Sequence, residues 1–232
     1  MYAKTVTAKE ETILSDFVKR IGVQLRIRRN TFLYHQLDKA DSFYFVTSGK
    51  FVISKETPEG KQFYLSYVTE GKAIGDHTLF DKNATQVFSA KALENSEVFV
   101  VEKKQIEKIF FDDRELALEL IKSNNLYNKI NETKFRDLVL CGKKGAVYST
   151  IIRMTNTFGV KKSNGILVDF KYTLSDIANF SGTTREGVTR LFSDLKKEKI
   201  IDIVDGQILV LDLDYLRNEI DCERCPIQYC QL

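Results

Sequence analysis

Three of the four cysteines stand close together as Cys222-Glu-Arg-Cys225-Pro-Ile-Gln-Tyr-Cys230. A C-x2-C-x4-C run on a short tail places three soft thiolates within reach of one metal centre. Three ligands complete neither a four-thiolate cluster nor a tetrahedral zinc site, so a fourth must come from elsewhere in the fold or from solvent. The spacing alone leaves four readings open: a structural zinc site, an iron–sulfur cluster, a redox dithiol on Cys222 and Cys225, and thiols without a role. Candidates for the fourth ligand are Asp137, Cys141, the acids Asp221 and Glu223 beside the tail, His35, His77 and solvent.

A second set of residues suits nucleic acid. Two short helices, Leu174 to Phe180 and Arg185 to Lys197, are expected around Ser181-Gly182-Thr183-Thr184, where Gly182 permits the turn and a threonine can cap the second helix. That spacing makes a helix-turn-helix. Asp205-Gly206 between Ile200 to Val204 and Gln207 to Leu211 is a hairpin signal that adds a wing. Arg185, Glu186, Thr189 and Arg190 open the second helix, where side chains meet base edges in the major groove. Arginine can pair with guanine through two hydrogen bonds, and glutamate can accept from the cytosine amino group. Val188, Leu191 and Leu195 are expected to face inward. From Lys143 to Ile200 there are 11 Lys and Arg against 5 Asp and Glu, a surplus that favours a polyanion partner.

The elements that position these residues follow from the pattern. Phe43 to Val46, Phe51 to Ser54, Gln62 to Val68, Val87 to Leu93 and Val98 to Val101 read as strands separated by turn signals, which predicts an antiparallel sandwich or barrel. A long helix is expected from Asp112 to a stop at Gly142, and a further one from Ala146 to Phe158. Leu116, Leu120, Ser123, Tyr127, Ile130, Lys134, Asp137 and Cys141 follow alternating steps of four and three, the coiled-coil period, so the long helix is expected to dimerise along that row with Asp137 near the seam. Phe135, Leu138 and Val139 form an adjacent apolar stripe toward its end. The fold class is thus α+β: a β domain over 1–111, a dimerisation helix over 112–142, a winged helix-turn-helix over 143–216 and a cysteine tail over 217–232.

The 232 residues carry a net charge of only +3 and are 43% hydrophobic and 29% charged, ordinary values for a globular protein. No apolar run approaches the roughly 20 residues that span a bilayer, so no membrane partner is expected. The opening segment, with Lys4, Lys9, Glu10, Glu11 and Asp16, has no export pattern. A cytoplasmic location is expected, where thiols stay reduced and metal ligation is favoured over disulfides. No cofactor fingerprint or nucleophile motif points to an enzyme.

The β domain, long helix, wing and Thr184-Arg185-Glu186-Gly187-Val188-Thr189-Arg190-Leu191 together resemble the Crp/Fnr superfamily of dimeric bacterial regulators. The resemblance implies an N-terminal β-roll of cyclic-nucleotide-binding type and a homodimer that works with RNA polymerase. It also implies palindromic DNA half-sites of the TGTGA type, read by Arg185, Glu186 and Arg190. Members that bind cyclic nucleotides carry a Gly-Glu and an Arg-Ser pair. This chain has Gly75-Asp76-His77 and Gln86-Val87-Phe88-Ser89-Ala90, with no arginine to meet a phosphate, so no cyclic nucleotide is expected. Phe135-Arg136-Asp137-Leu138, Gly142-Lys143-Lys144-Gly145 and the C-terminal cysteines are similar to the Fnr regulators of bacilli. That likeness implies a [4Fe-4S] cluster on Cys222, Cys225, Cys230 and Asp137, and an oxygen-responsive regulator of anaerobic metabolism. Cys141 is the alternative fourth ligand, and a zinc-stapled regulator responding to a small molecule in the β domain is the alternative function.

Overall fold

A computed structural model of the chain describes residues 13–75 and 78–232, so Asp76, His77 and the start of the opening segment lie outside the described residues. The chain divides into two compact units at the boundary between Asn125 and Leu126. In the first, helix α1 (Ile13–Ile21) precedes eight strands. One antiparallel sheet runs β1 (Val23–Ile27), β8 (Ser96–Glu102), β3 (Ser42–Ser48), β6 (Ala73–Ile74). The other runs β2 (Phe32–Tyr34), β7 (Ser89–Ala92), β4 (Lys50–Glu56), β5 (Gln62–Thr69). The two-residue period of β3 builds two cores. Val46 points into a cluster with Val98, Phe51, Ile53, Val68 and Ala90, to which both sheets contribute. Phe43 and Phe45 point the other way and pack with Val101 against Val18, Ile106, Ile109, Leu116 and Leu120 of the helices. This is the expected β-roll, with β1, β2 and β6 in addition to the strands read from the sequence.

The long helix starts later than expected. Asp112 ends α2 (Lys103–Asp112), and Asp113 breaks the chain in an extended conformation. Asp113 Oδ1 accepts from the backbone N–H groups of Glu115 and Leu116, at 3.0 and 3.1 Å, and so caps α3 (Arg114–Leu140). The α3 seam also differs from expectation. Leu116 and Leu120 are buried in the helix-side core of the β unit, and Lys134 and Asp137 are buried in the second unit. The four-three row therefore faces inward at both ends, and Asp137 lies in the chain's own interior rather than on an exposed stripe. Of the large apolar residues of α3 left exposed, Leu118, Ile121, Phe135 and Val139 share another row of the same period, while Leu126 and Leu140 lie off it. A period cannot tell which of two stripes meets the protein's own core.

The second unit continues with α4 (Gly142–Phe158), which begins earlier than expected, and a hairpin of β9 (Gly159–Lys162) and β10 (Gly165–Val168) not foreseen in the sequence. Then come α5 (Leu174–Ser181), α6 (Arg185–Lys197), β11 (Ile201–Val204), β12 (Gln207–Val210) and α7 (Leu213–Asn218). The four strands form one antiparallel sheet in the order β11-β12-β10-β9. Asp205 and Gly206 both have positive φ, 52° and 80°, as the wing turn requires. Val147, Ile151, Met154, Ile177, Phe180, Val188, Leu195, Ile208 and Leu216 are all buried in this unit. Among the described residues no helix is long and apolar enough to cross a membrane.

Leu120→Ala is expected to destabilise the protein by about 2–5 kcal/mol in chemical denaturation, as a core truncation does. Phe135→Ala, on the exposed row, is expected to change the monomer's stability by no more than about 0.5 kcal/mol.

Candidate functional site

The helix-turn-helix is built as the sequence requires. Thr173 and Asp176 form a reciprocal capping box at the start of α5, and Gly182 ends that helix in the left-handed conformation at φ 61°. Thr184 Oγ1 then accepts from the Gly187 N–H at 3.2 Å, which starts α6. Val188, Phe192 and Leu195 are buried; Phe192, rather than the half-buried Leu191, completes the inward face. Arg185, Glu186, Thr189 and Arg190 are exposed, on the opposite side of the helix. Thr189 donates to the Arg185 carbonyl at 2.8 Å, so its hydroxyl is left as an acceptor. No ion pair joins Arg185, Glu186 or Arg190 to another described residue, so their hydrogen-bonding capacity faces solvent. Lys196 lies near Asp202 of the wing at 3.6 Å.

The cysteines form the second site. Cys222, Cys225 and Cys230 line one cavity of about 380 Å³ together with Cys141 and Asp137. Both leading candidates for a fourth ligand therefore share its wall. Cys141 marks the corner where α3 turns into α4, and its N–H donates to the Asp137 carbonyl at 3.2 Å, one helical turn back. Gly145 makes that corner possible. A Cβ there would lie 2.5 Å from the Cys141 Cβ and 3.1 Å from Ile220. Asp221 and Glu223 also line the cavity. His35 is exposed and packs its ring, tilted by 31°, against Phe32 in the β unit, with centroids 4.2 Å apart, and is not on the cavity wall. Among the described residues no three His, Cys, Asp or Glu side chains converge tightly enough to hold one metal ion. The donors surround a volume rather than a point. Three thiols with a carboxylate or a fourth thiol are a donor set that a zinc ion and an iron–sulfur cluster can each use.

Asp137 is 6% exposed and fully engaged. Its Oδ2 accepts from Ser149 Oγ at 2.6 Å and Arg153 Nη2 at 2.7 Å. Its Oδ1 accepts from Arg136 Nε and Nη2 at 3.1 and 2.8 Å. Burial by itself raises the Asp137 carboxyl, but hydrogen bonds from Ser149, Arg153 and Arg136 outweigh it and hold it below the ordinary carboxylate value. Arg153, only 1% exposed, also donates from Nη1 to the carbonyls of Tyr229 and Gln231, at 3.3 and 3.2 Å. Asn156 donates to the Cys230 carbonyl at 2.9 Å, and Thr133 to the Tyr229 carbonyl at 2.9 Å. These bonds strap the end of the tail to α3 and α4. Burial pushes the Cys230 thiol up to about 11 and also raises that of Cys141, beside the Asp137 charge. Sequence reading passed over Arg153, Ser149 and Asn156. Arg153 is the one charge between Gly145 and Phe158, a pattern that marks a paired buried ion.

Residues 24–113 match the cyclic nucleotide-binding domain family and residues 146–219 the Crp-like helix-turn-helix domain family. The "Anaerobic regulatory protein" of Bacillus subtilis (strain 168) is 36% identical over 220 residues, covering 94% of this chain and 92% of that protein. The chain belongs to the Crp/Fnr family. It is a DNA-binding transcription regulator and not an enzyme. The chain is also similar to the "Lactate racemization regulatory protein" of Lactiplantibacillus plantarum, 27% identical over 206 residues, covering 84% of this chain and 90% of that one. The fold matches a solved CooA mutant from Carboxydothermus hydrogenoformans with a TM-score of 0.76 at 21% identity, over 94% of this chain and 95% of that one. FixK2 from Bradyrhizobium japonicum matches with a TM-score of 0.71 at 18% identity, over 85% and 96%. These likenesses show the Crp/Fnr fold.

In metal-free protein, Asp137→Ala is expected to cost about 3–5 kcal/mol in chemical denaturation, because it strands the Arg153 charge in the interior. Alkylation by iodoacetamide, followed by mass spectrometry, is expected to label the buried Cys230 last of the three tail thiols.

Proposed function

We propose that the protein is an oxygen-responsive regulator of anaerobic metabolism genes whose DNA binding is controlled by a [4Fe-4S] cluster on Cys222, Cys225 and Cys230. The observation that carries this reading is the single cavity lined by all three tail thiols, Cys141 and Asp137. The name of the Bacillus subtilis relative supports it. Asp137 is the favoured fourth ligand, since a carboxylate holds iron more loosely than a thiolate and suits a cluster meant to be lost. The cluster, when bound, supplies an oxygen-labile link between the tail and the end of α3. The chain's own residues do the rest: Arg153, Asn156 and Thr133 hold the tail in place, and Arg153 keeps Asp137 ionised.

We place the dimer contact on Leu118, Ile121, Phe135 and Val139, the exposed row of α3. In such a homodimer two copies of α6 read palindromic half-sites of the TGTGA type through Arg185, Glu186, Thr189 and Arg190, and RNA polymerase is the protein partner. The β unit takes no cyclic nucleotide in this reading. Gln86 is buried where a phosphate-pairing arginine is needed, and Gln86 to Ala90 contains none.

Protein purified without air is expected to contain iron and acid-labile sulfide at about four each per chain, with a broad visible absorbance that air bleaches. Asp137→Cys is expected to slow the bleaching and Cys141→Ser to leave it near wild type. Stoichiometric zinc without sulfide sinks this reading in favour of a zinc staple. On DNA, Arg190→Ala is expected to cost about 1–3 kcal/mol on a palindromic site and to relax preference at one base pair. Selection from a random pool checks this: unchanged preferences at every position refute base readout by Arg190.

A further inference from the structure

The two guanidiniums on Asp137 are not equivalent. Arg153 binds Oδ2 from the interior, and all its other bonds are to buried or tail groups: Ser149 Oγ at 3.3 Å and the carbonyls of Tyr229 and Gln231. Moving it strands these acceptors together with a buried charge. Arg136 binds Oδ1 from the cavity side, and its side chain is 29% exposed. Its remaining partners lie on the segment from Cys222 to Cys225: the Glu223 carboxylate and the Cys225 thiol. Glu223 is itself 66% exposed on the loop between Cys222 and Cys225. The neighbouring Arg224 and Asp221 hold positive φ, 52° and 46°, which is strained for residues with a Cβ.

Resting on the iron–sulfur reading above, we propose that Arg136 is the placeholder of the cavity. Its guanidinium holds Asp137 Oδ1, Glu223 and Cys225 together in the iron-free protein, and it withdraws when Asp137 turns Oδ1 to iron. Arg153 and Ser149 stay on Oδ2 throughout. If Asp137 took part in holding iron, Oδ1 would give up two N–H donors, and the freed N–H groups of the partly exposed Arg136 would pass to water. Arg136 is thus a positioning residue that competes with iron for the aspartate, and the loop carrying Cys222 and Cys225 is tied down by Arg136 only until iron arrives. The inward end of the tail, held by Arg153, Asn156 and Thr133, does not depend on that exchange.

The test uses the full chain as wild type, Arg136→Gln and Glu223→Gln, each loaded without air with ferrous iron and sulfide. After exposure to air, the Arg136→Gln absorbance is expected to persist about two- to five-fold longer than wild type, the range a partly exposed ion pair supplies. Glu223→Gln is expected to shift it in the same direction by less. In the iron-free protein, amide hydrogen exchange at 221–225 is expected to speed up in Arg136→Gln, with residues 229–232 unchanged. An Arg136→Gln cluster lost at the wild-type rate or faster overturns the proposal, as does unchanged exchange at 221–225. Wild-type protein that takes up no iron with sulfide overturns the iron–sulfur reading itself, a result visible before any variant is compared.

Discussion

The second unit is organised around the buried contact between Asp137 and Arg153. Two opposite charges with almost no exposure survive in an interior only when each is fully hydrogen-bonded, and here both are. Asp137 comes from the end of α3, Arg153 from the middle of α4, and the remaining arms of Arg153 reach the carbonyls of the tail. One interaction therefore ties the long helix, the helix that follows it and the C-terminal residues together. The cysteine cavity is what this arrangement leaves open between them.

The same contact constrains α3. Because Asp137 and Lys134 must face the protein's own interior, the apolar residues of the opposite row, Phe135 and Val139, are turned outward. The Lys134 ammonium sits 4.5 Å from the centre of the Phe180 ring in α5. Burial, with the nearby Arg153 charge, holds it well below the ordinary lysine value. A side chain of α3 therefore packs directly on the first helix of the helix-turn-helix, a short distance in sequence from Asp137. The reading helix α6 is held from behind by Val188, Phe192 and Leu195 and carries its polar residues free on the other side. The side of α6 that meets the scaffold is apolar, and the residues with hydrogen bonds to offer are on its surface.

Much of this was legible in the amino-acid order. An antiparallel β domain, the helix-turn-helix and the wing follow from aromatic and β-branched runs between turn signals, capping residues and the Asp205-Gly206 turn, because these signals act over a few neighbouring residues. The β-roll form, by contrast, came from the family resemblance. The closeness of the tail cysteines was legible too, since thiols so near in sequence are near in space, but the spacing alone left metal, redox and idle readings open. The row of steps of four and three on α3 was also visible, but its direction was not. Helical periodicity reports that a stripe is apolar, and only the surrounding chain decides which stripe is buried. The same limit moved the start of α3 from Asp112 to Arg114, because the Asp113 cap depends on where α2 ends.

What the sequence determined by itself is the family, the donor types and the local elements: the Crp/Fnr architecture, three thiols on a tail and a polar helix face suited to DNA. What only the tertiary structure decided is which distant groups meet. Arg153 lies 16 residues from Asp137 and Tyr229 a further 76 along, yet all three are joined by hydrogen bonds. Cys141 and Asp137 reach the tail thiols only because the chain turns a corner at Cys141 and Gly145 lets α4 pass close by. Such contacts are chosen by the folding of whole elements against one another, and the cost of leaving Arg153 unpaired in the interior is what selects them.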